Sequence, residues 1–288
     1  MAVLYCDTDC ELWFTRAEEE KLGVIEMPYT IDGKEYMYDL GKNTDFKGFF
    51  DKMRAGGVPI TSALNAENYK EIFEPHFKKG EDILYVAFSS QMSGTFASMD
   101  MAVKELSAKY PSVKFVCYDT LSISMGAGLI VYMAAKVFNA NGGNIEKTVE
   151  YLNGITQKVC TLFVVDDLKY LARGGRISPS KAKMANLFNV KPILTISADG
   201  TIDMLSKQSG NKKAMSYVFS QLEEKYRDID NAPIVLVSAD SDNAVEELRA
   251  RIAEKFPAAE IWIQPVGPVI GAHCGPGTYG LIFTSTSR

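Results

Sequence analysis

Ile83-Leu84-Tyr85-Val86-Ala87-Phe88 runs directly into Ser89-Ser90-Gln91-Met92-Ser93-Gly94-Thr95, and a helical pattern opens near Phe96. The apolar run predicts a buried strand, the hydroxyl-rich segment a turn, and the periodicity beyond it a helix. That order puts free helix N–H groups and hydroxyls at the carboxyl end of a strand, where an anion such as a carboxylate or a phosphate is received. A helix cap uses one or two such positions, and the segment has five hydroxyl or glycine residues in seven, which favours ligand contact. The segment is no nucleophile elbow, since Gly-x-Ser-x-Gly is absent, and it lacks the Gly-Lys-[Ser/Thr] ending of a Walker loop.

Working outward, Val3-Leu4-Tyr5-Cys6 predicts a strand ending in Asp7-Thr8-Asp9, with a charged helix over 15–22. Asp32-Gly33-Lys34, between Met27–Ile31 and Glu35–Tyr38, predicts a hairpin, which Pro28 would place at a sheet edge. Thr61 or Ser62 is a natural N-cap for a helix over 66–78. Downstream, strands are expected at 114–118, 161–165, 234–237, 260–263 and 281–284, with helices over 96–110, 121–138, 145–158, 179–187, 212–225 and 243–256. Asp199-Gly200 predicts a second hairpin. Alternating strands and helices imply an α/β chain of two units, 1–158 and 159–288, the first with a mostly parallel sheet and the hairpins adding antiparallel edges. In parallel sheets the ligand crevice lies beyond the carboxyl ends of the strands, several of which end here in Asp, Ser or Thr.

Composition narrows the function. The chain has 288 residues, 47% hydrophobic, and 31 Lys+Arg against 36 Asp+Glu, so the basic footprint of a nucleic-acid binder is missing. Met1 to Asp7 shows no secretory leader, and the apolar stretch around 126–138 is too short to span a bilayer, so a cytoplasmic location is expected. Five scattered cysteines suit free thiols, and two histidines without clustered carboxylates leave no metal site to expect.

His273 lies in the glycine-rich segment Gly267 to Gly280, where backbone can approach a ligand closely, and is a candidate donor to a carboxylate. His76 reads as a surface residue. A Ser-His hydrolase acting on acyl esters is the enzymatic alternative, with Ser93 as nucleophile, His273 as base, and Asp7, Asp119 or Asp240 as third member. Arg173-Gly174-Gly175-Arg176, with Lys181, Lys183, Lys207, Lys212 and Lys213, would form a local basic patch for a phosphate or an acidic partner.

Taken in order, five motifs make the chain resemble the DegV family of bacterial fatty-acid-binding proteins: Pro59-Ile60-Thr61-Ser62, Ser89 to Thr95, Leu171 to Ser178, Lys191-Pro192-Ile193-Leu194, and Gly267 to Gly277. The resemblance spans nearly the whole chain. It implies two α/β domains, the C-terminal one with a mixed sheet, and a noncatalytic carrier without cofactor or metal that encloses a long-chain fatty acid. By that resemblance Thr61, Ser62, Ser93, Gly94, Thr95 and His273 hold the carboxylate, Met92, Ile270 and Met125 line the tail, and Arg173 and Arg176 meet a partner. The implied partners are a separate ATP-dependent fatty acid kinase subunit and the enzyme that accepts the acyl phosphate. The chain departs from the family pattern at Asp7-Thr8 in place of Asp-Ser, at Cys274 in place of a threonine, and near Lys207-Gln208-Ser209, where an arginine is missing.

Overall fold

The computed structural model describes residues 2–178 and 190–288. The helix expected over 179–187, with Lys181 and Lys183, lies outside the described residues. All described strands before residue 120 belong to a four-stranded or a three-stranded sheet, and all described strands from Val159 onward to one six-stranded sheet.

The four-stranded sheet is parallel, made of β1 (Ala2–Asp7), β2 (Gly23–Ile25), β6 (Asp82–Ala87) and β7 (Phe115–Asp119) in the order β2-β1-β6-β7. Its order reverses direction between β1 and β6. The crevice at such a switch point opens between the carboxyl ends of the two strands, here the Asp7 and Ser89–Thr95 turns. Helix α4 (Thr95–Lys109) follows β6 as the sequence predicts.

Asp32 and Gly33 both have positive φ, 52° and 74°, the two left-handed residues of a type I′ turn joining β3 (Pro28–Ile31) to β4 (Lys34–Met37). The edge position expected from Pro28 is not found. Strand β5 (Ile60–Thr61) pairs on the far side of β3, which is therefore the central strand of the order β4-β3-β5. Pro28 is tolerated there because it is the first residue of its strand, and its carbonyl accepts the Ser62 N–H at 3.4 Å. The N-cap of α3 (Ala66–Lys79) is Asn65, in a reciprocal box with Asn68, and neither Thr61 nor Ser62. That releases Thr61 and Ser62 for another use.

The six-stranded sheet is mixed: β8 (Val159–Val164), β9 (Val190–Ile196), β10 (Ile202–Ser209), β11 (Ile234–Ser238), β12 (Ile261–Pro265) and β13 (Tyr279–Thr284), ordered β10-β9-β8-β13-β11-β12. Side chains alternate across a strand. Cys160, Leu162 and Val164 of β8 and Tyr279, Leu281 and Phe283 of β13 join the core under the helices Asn211–Lys225 and Asp242–Lys255. The intervening Thr161, Phe163, Gly280 and Ile282 face the other way, toward a cavity. Helix α5 (Met125–Ala140) closes the main core between the sheets; eleven of its residues are buried. The glycine-rich segment Gly267 to Gly280 contains a short helix, Pro268–Cys274, started by Gly267 with proline at N1. No described helix is long and apolar enough to cross a membrane.

Candidate functional site

The cavity lies between the crevice of the parallel sheet and the inner face of the mixed sheet, and holds about 200 Å³ of space open to the centres of water molecules. Its walls are largely aliphatic and aromatic, from Met27, Phe88, Ile123, Leu171, Ile202, Val266 and Val269 among others. Polar groups also line it: Thr61, Ser62, Ser93, His273 and Arg176. An apolar enclosure with a few polar groups is the usual form of a small-molecule site.

Those groups come from four separate elements. Thr61 Oγ1 and His273 Nε2 are 2.9 Å apart, joining β5 to the Pro268–Cys274 helix. His273 Nδ1 is buried against Gly174, without a partner among the described residues. A Cβ at Gly174 would stand 2.1 Å from that nitrogen, so the approach requires glycine. Burial above all, then the charges of Arg176 and Arg173, pushes the His273 imidazole down to about 4. The ring is neutral at pH 7, able to hydrogen-bond a carboxylate but not to neutralise it. Arg176 extends along the wall, its Nε donating to Met92 O at 3.1 Å and its Nη1 to Gly174 O.

Of the residues expected at the site, Thr61, Ser62, Ser93, Gly94, His273, Met92 and Ile270 line the cavity. Thr95 and Met125 are placed elsewhere. The Thr95 hydroxyl is buried against Tyr69 Oη at 2.8 Å, and its N–H donates to Ser93 Oγ at 3.2 Å. Met125 is fully buried at the start of α5, its sulfur beside Gly128. Ser89 serves the fold as well: its hydroxyl donates to Gly200 O at 2.9 Å, tying the turn to the second hairpin. Arg173 is exposed at the end of the helix Lys169–Arg173. Arg176, expected beside it on a partner face, is in the cavity wall. His76 is more than surface, bonding Tyr5 Oη and Glu81 at 2.7 Å each.

Sequence reasoning missed the acidic row at the end of β1. Asp7, Asp9 and Glu11 are all buried. Asp7 accepts from Tyr85 Oη at 2.8 Å and the Phe88 N–H at 3.1 Å, and burial raises it to about 6. Glu11 accepts from Ser124 Oγ and the Gly267 N–H, and burial raises it to about 8. Asp9 lines the cavity. The Asp-x-Asp-x-Glu spacing after an apolar run was the available signal, but strand-end acids are ordinarily solvated turns.

These positions leave the relay of a hydrolase unassembled among the described residues. Asp7 is engaged by Tyr85 and Phe88, Asp119 by the N–H groups of Ser90 and Leu121, and Asp240 by Arg54. No carboxylate of the described residues holds His273 Nδ1. The described residues contain no cluster of potential metal ligands, and all five cysteines are free.

A family model described as "uncharacterised protein, DegV family" matches residues 3–286. The chain belongs to the DegV family. A DegV domain-containing protein of Clostridium perfringens is 33% identical over 286 residues, 99% of this chain and 98% of the relative. A Thermotoga maritima protein whose structure is described as revealing a fatty acid binding function is 25% identical, with a TM-score of 0.82 and 99% of each chain covered. The Fatty Acid Kinase (Fak) B3 protein of Streptococcus pneumoniae, solved loaded with linoleic acid, has a TM-score of 0.83 at 21% identity, covering 99% of this chain and 100% of that one. At that identity the second structural likeness speaks to the fold, which is the mixed α/β arrangement of DegV structures. Both the family and the fold class read from the five motifs agree with these matches.

Proposed function

We propose that this chain binds a long-chain fatty acid in the cavity and presents it to a separate ATP-dependent kinase subunit, the acyl phosphate passing to an acceptor enzyme. The observation that carries the reading is the cavity itself: aliphatic walls with Thr61, Ser62, Ser93 and the neutral His273 among them. The fatty acid binding described for the Thermotoga relative supports it.

Hydroxyls, the N–H groups near Gly94 and a neutral imidazole hold a carboxylate by hydrogen bonds, which leaves its oxygen nucleophilic toward a γ-phosphate. Each tail methylene taken from water contributes about 0.8 kcal/mol, so a long chain gains most from a closed wall. On the outer side of the same turn lies a polar recess of about 310 Å³, sharing Met92, Ser93, Gly94 and Arg176 with the cavity. That recess is the side from which a phosphate donor would reach the carboxylate, and the exposed Arg173 stands on the adjoining helix.

The test is to denature purified protein, extract it with organic solvent and identify the lipid by mass spectrometry, then offer palmitic acid to delipidated protein. One fatty acid per chain, or stoichiometric uptake, is expected. If no fatty acid is extracted and none is taken up, the proposal fails. Labelling of Ser93 by a fluorophosphonate probe would turn the reading toward the acyl-ester hydrolase.

A further inference from the structure

Asp9 stands out in the wall of the cavity. The residue is 7% exposed, and its Oδ1 is buried without a hydrogen-bond partner among the described residues. Its backbone is fixed on both sides, the N–H to Asp7 Oδ1 at 3.0 Å and the carbonyl to the Ser124 N–H at 2.9 Å. These bonds hold the residue in the wall and leave its Oδ1 unpaired. Thr161 carries a second unpartnered oxygen in the wall, but that hydroxyl is packed against the Gly126 backbone, where a Cβ would be 2.2 Å away. Asp9 remains as the unpaired carboxyl in the wall that the carboxylate-binding set does not use.

A saturated hydrocarbon tail would offer this buried oxygen nothing, and a buried polar atom left unpaired is costly. We propose, building on the fatty acid reading above, that the cavity is made for an acyl chain bearing a hydroxyl group within its first few carbons, and that Asp9 hydrogen-bonds that hydroxyl. The position along the chain follows from the topology: Asp9 comes just after the carboxyl end of β1, and the neighbouring strand β6 leads at its own carboxyl end into the turn carrying Ser93 and Gly94, so Asp9 lies toward the polar end. The chemistry suits the carboxyl as it stands. Burial above all, then the neighbouring acidic groups, pushes Asp9 well above the usual carboxylate range against the opposing charge of Arg176, and the balance favours the neutral acid. A carboxylic acid both donates and accepts, as does the hydroxyl it would meet. Sites built to hydrogen-bond a hydroxyl reject the analogue that lacks it, because their own polar group is then left unpaired.

The experiment is a calorimetric titration of delipidated protein with palmitic acid and with 3-hydroxypalmitic acid, on the wild type, Asp9→Ala and Asp9→Asn. The wild type should prefer the hydroxylated acid by about tenfold or more, the usual scale for one buried hydrogen bond. Asp9→Ala should bring the ratio to about one while binding palmitic acid at least as well as the wild type. Asp9→Asn, an isosteric neutral group, should keep the preference, and it serves if the alanine variant does not fold. Equal or weaker binding of the hydroxylated acid by the wild type overturns the proposal and leaves the fatty acid reading standing. Binding of neither acid overturns both.

Discussion

Glu11 offers a sharp test of the electrostatics at the crevice. Its carboxyl accepts from the Gly267 N–H and Ser124 Oγ in a fully buried position, and burial lifts it from an ordinary 4.5 to about 8. The folded protein therefore holds a proton that the unfolded chain releases above pH 4.5, so stability is lost as pH rises from 4.5 through 8. Integrating between the two values gives a cost of less than about 1 kcal/mol at pH 5, about 3 kcal/mol at pH 7 and about 5 kcal/mol at pH 9. Glu11→Gln removes the titration and keeps the shape, with the amide oxygen on Gly267 and the amide N–H on Ser124. Urea midpoints for both proteins across pH 5 to 9 are the measurement. The variant should unfold close to the wild type at pH 5 and at progressively higher urea as pH rises. A gap that stays constant with pH, or narrows toward pH 9, would refute the account of a buried protonated glutamate.

Other outcomes follow from the polar groups of the cavity. Ser93→Ala should weaken palmitic acid binding by about 1–3 kcal/mol in a direct titration, the cost of a buried carboxylate short of one donor, and unchanged affinity would remove Ser93 from the site. Gly174→Ala would put a methyl 2.1 Å from His273 Nδ1 and push the ring off Thr61, so palmitic acid affinity should fall by about tenfold or more with the circular dichroism spectrum retained. The His273 ring should titrate near 4 when its nitrogens are followed by NMR in the ligand-free protein, and a midpoint near 6.5 would show that it is not buried beside the two arginines. Because its folded value lies below its ordinary one, His273 should cost stability as pH falls from 6.5 toward 4, a loss His273→Gln should not show in the same urea series.

Much of this was legible in residues 83–95 and their echoes along the chain, because local rules govern local structure. The strand, turn and helix around Ser89, the two Asp-Gly hairpins and the helix over 125–140 all follow from periodicity and turn chemistry. What pattern reasoning missed depends on partners distant in sequence. Pro28 looked like an edge residue because nothing local announces that Ile60 and Thr61 will pair on its other side. Thr61 looked like a cap because the competing Asn65–Asn68 box gives the same type of signal four residues later. Arg176 reads as surface charge until its guanidinium is seen donating to Met92 and Gly174. Thr95 and Met125 carry the right chemistry for the site, but tertiary packing gave them to Tyr69 and to the core beside Gly128.

Strand β13 sits in the middle of the six-stranded sheet, paired to β8 on one side and β11 on the other. The strands β8, β9 and β10 form one ribbon, β11 and β12 another, and the two ribbons share no direct ladder. The segment Tyr279–Thr284 is thus a keystone, laid only after more than a hundred residues have looped away from β8. Contacts that distant make assembly slow, and until they form each ribbon presents an open edge able to pair with another chain. Disturbing the register of β13 would therefore show itself first as misassembly during folding, well before any loss at the cavity that its Gly280 and Ile282 help to line.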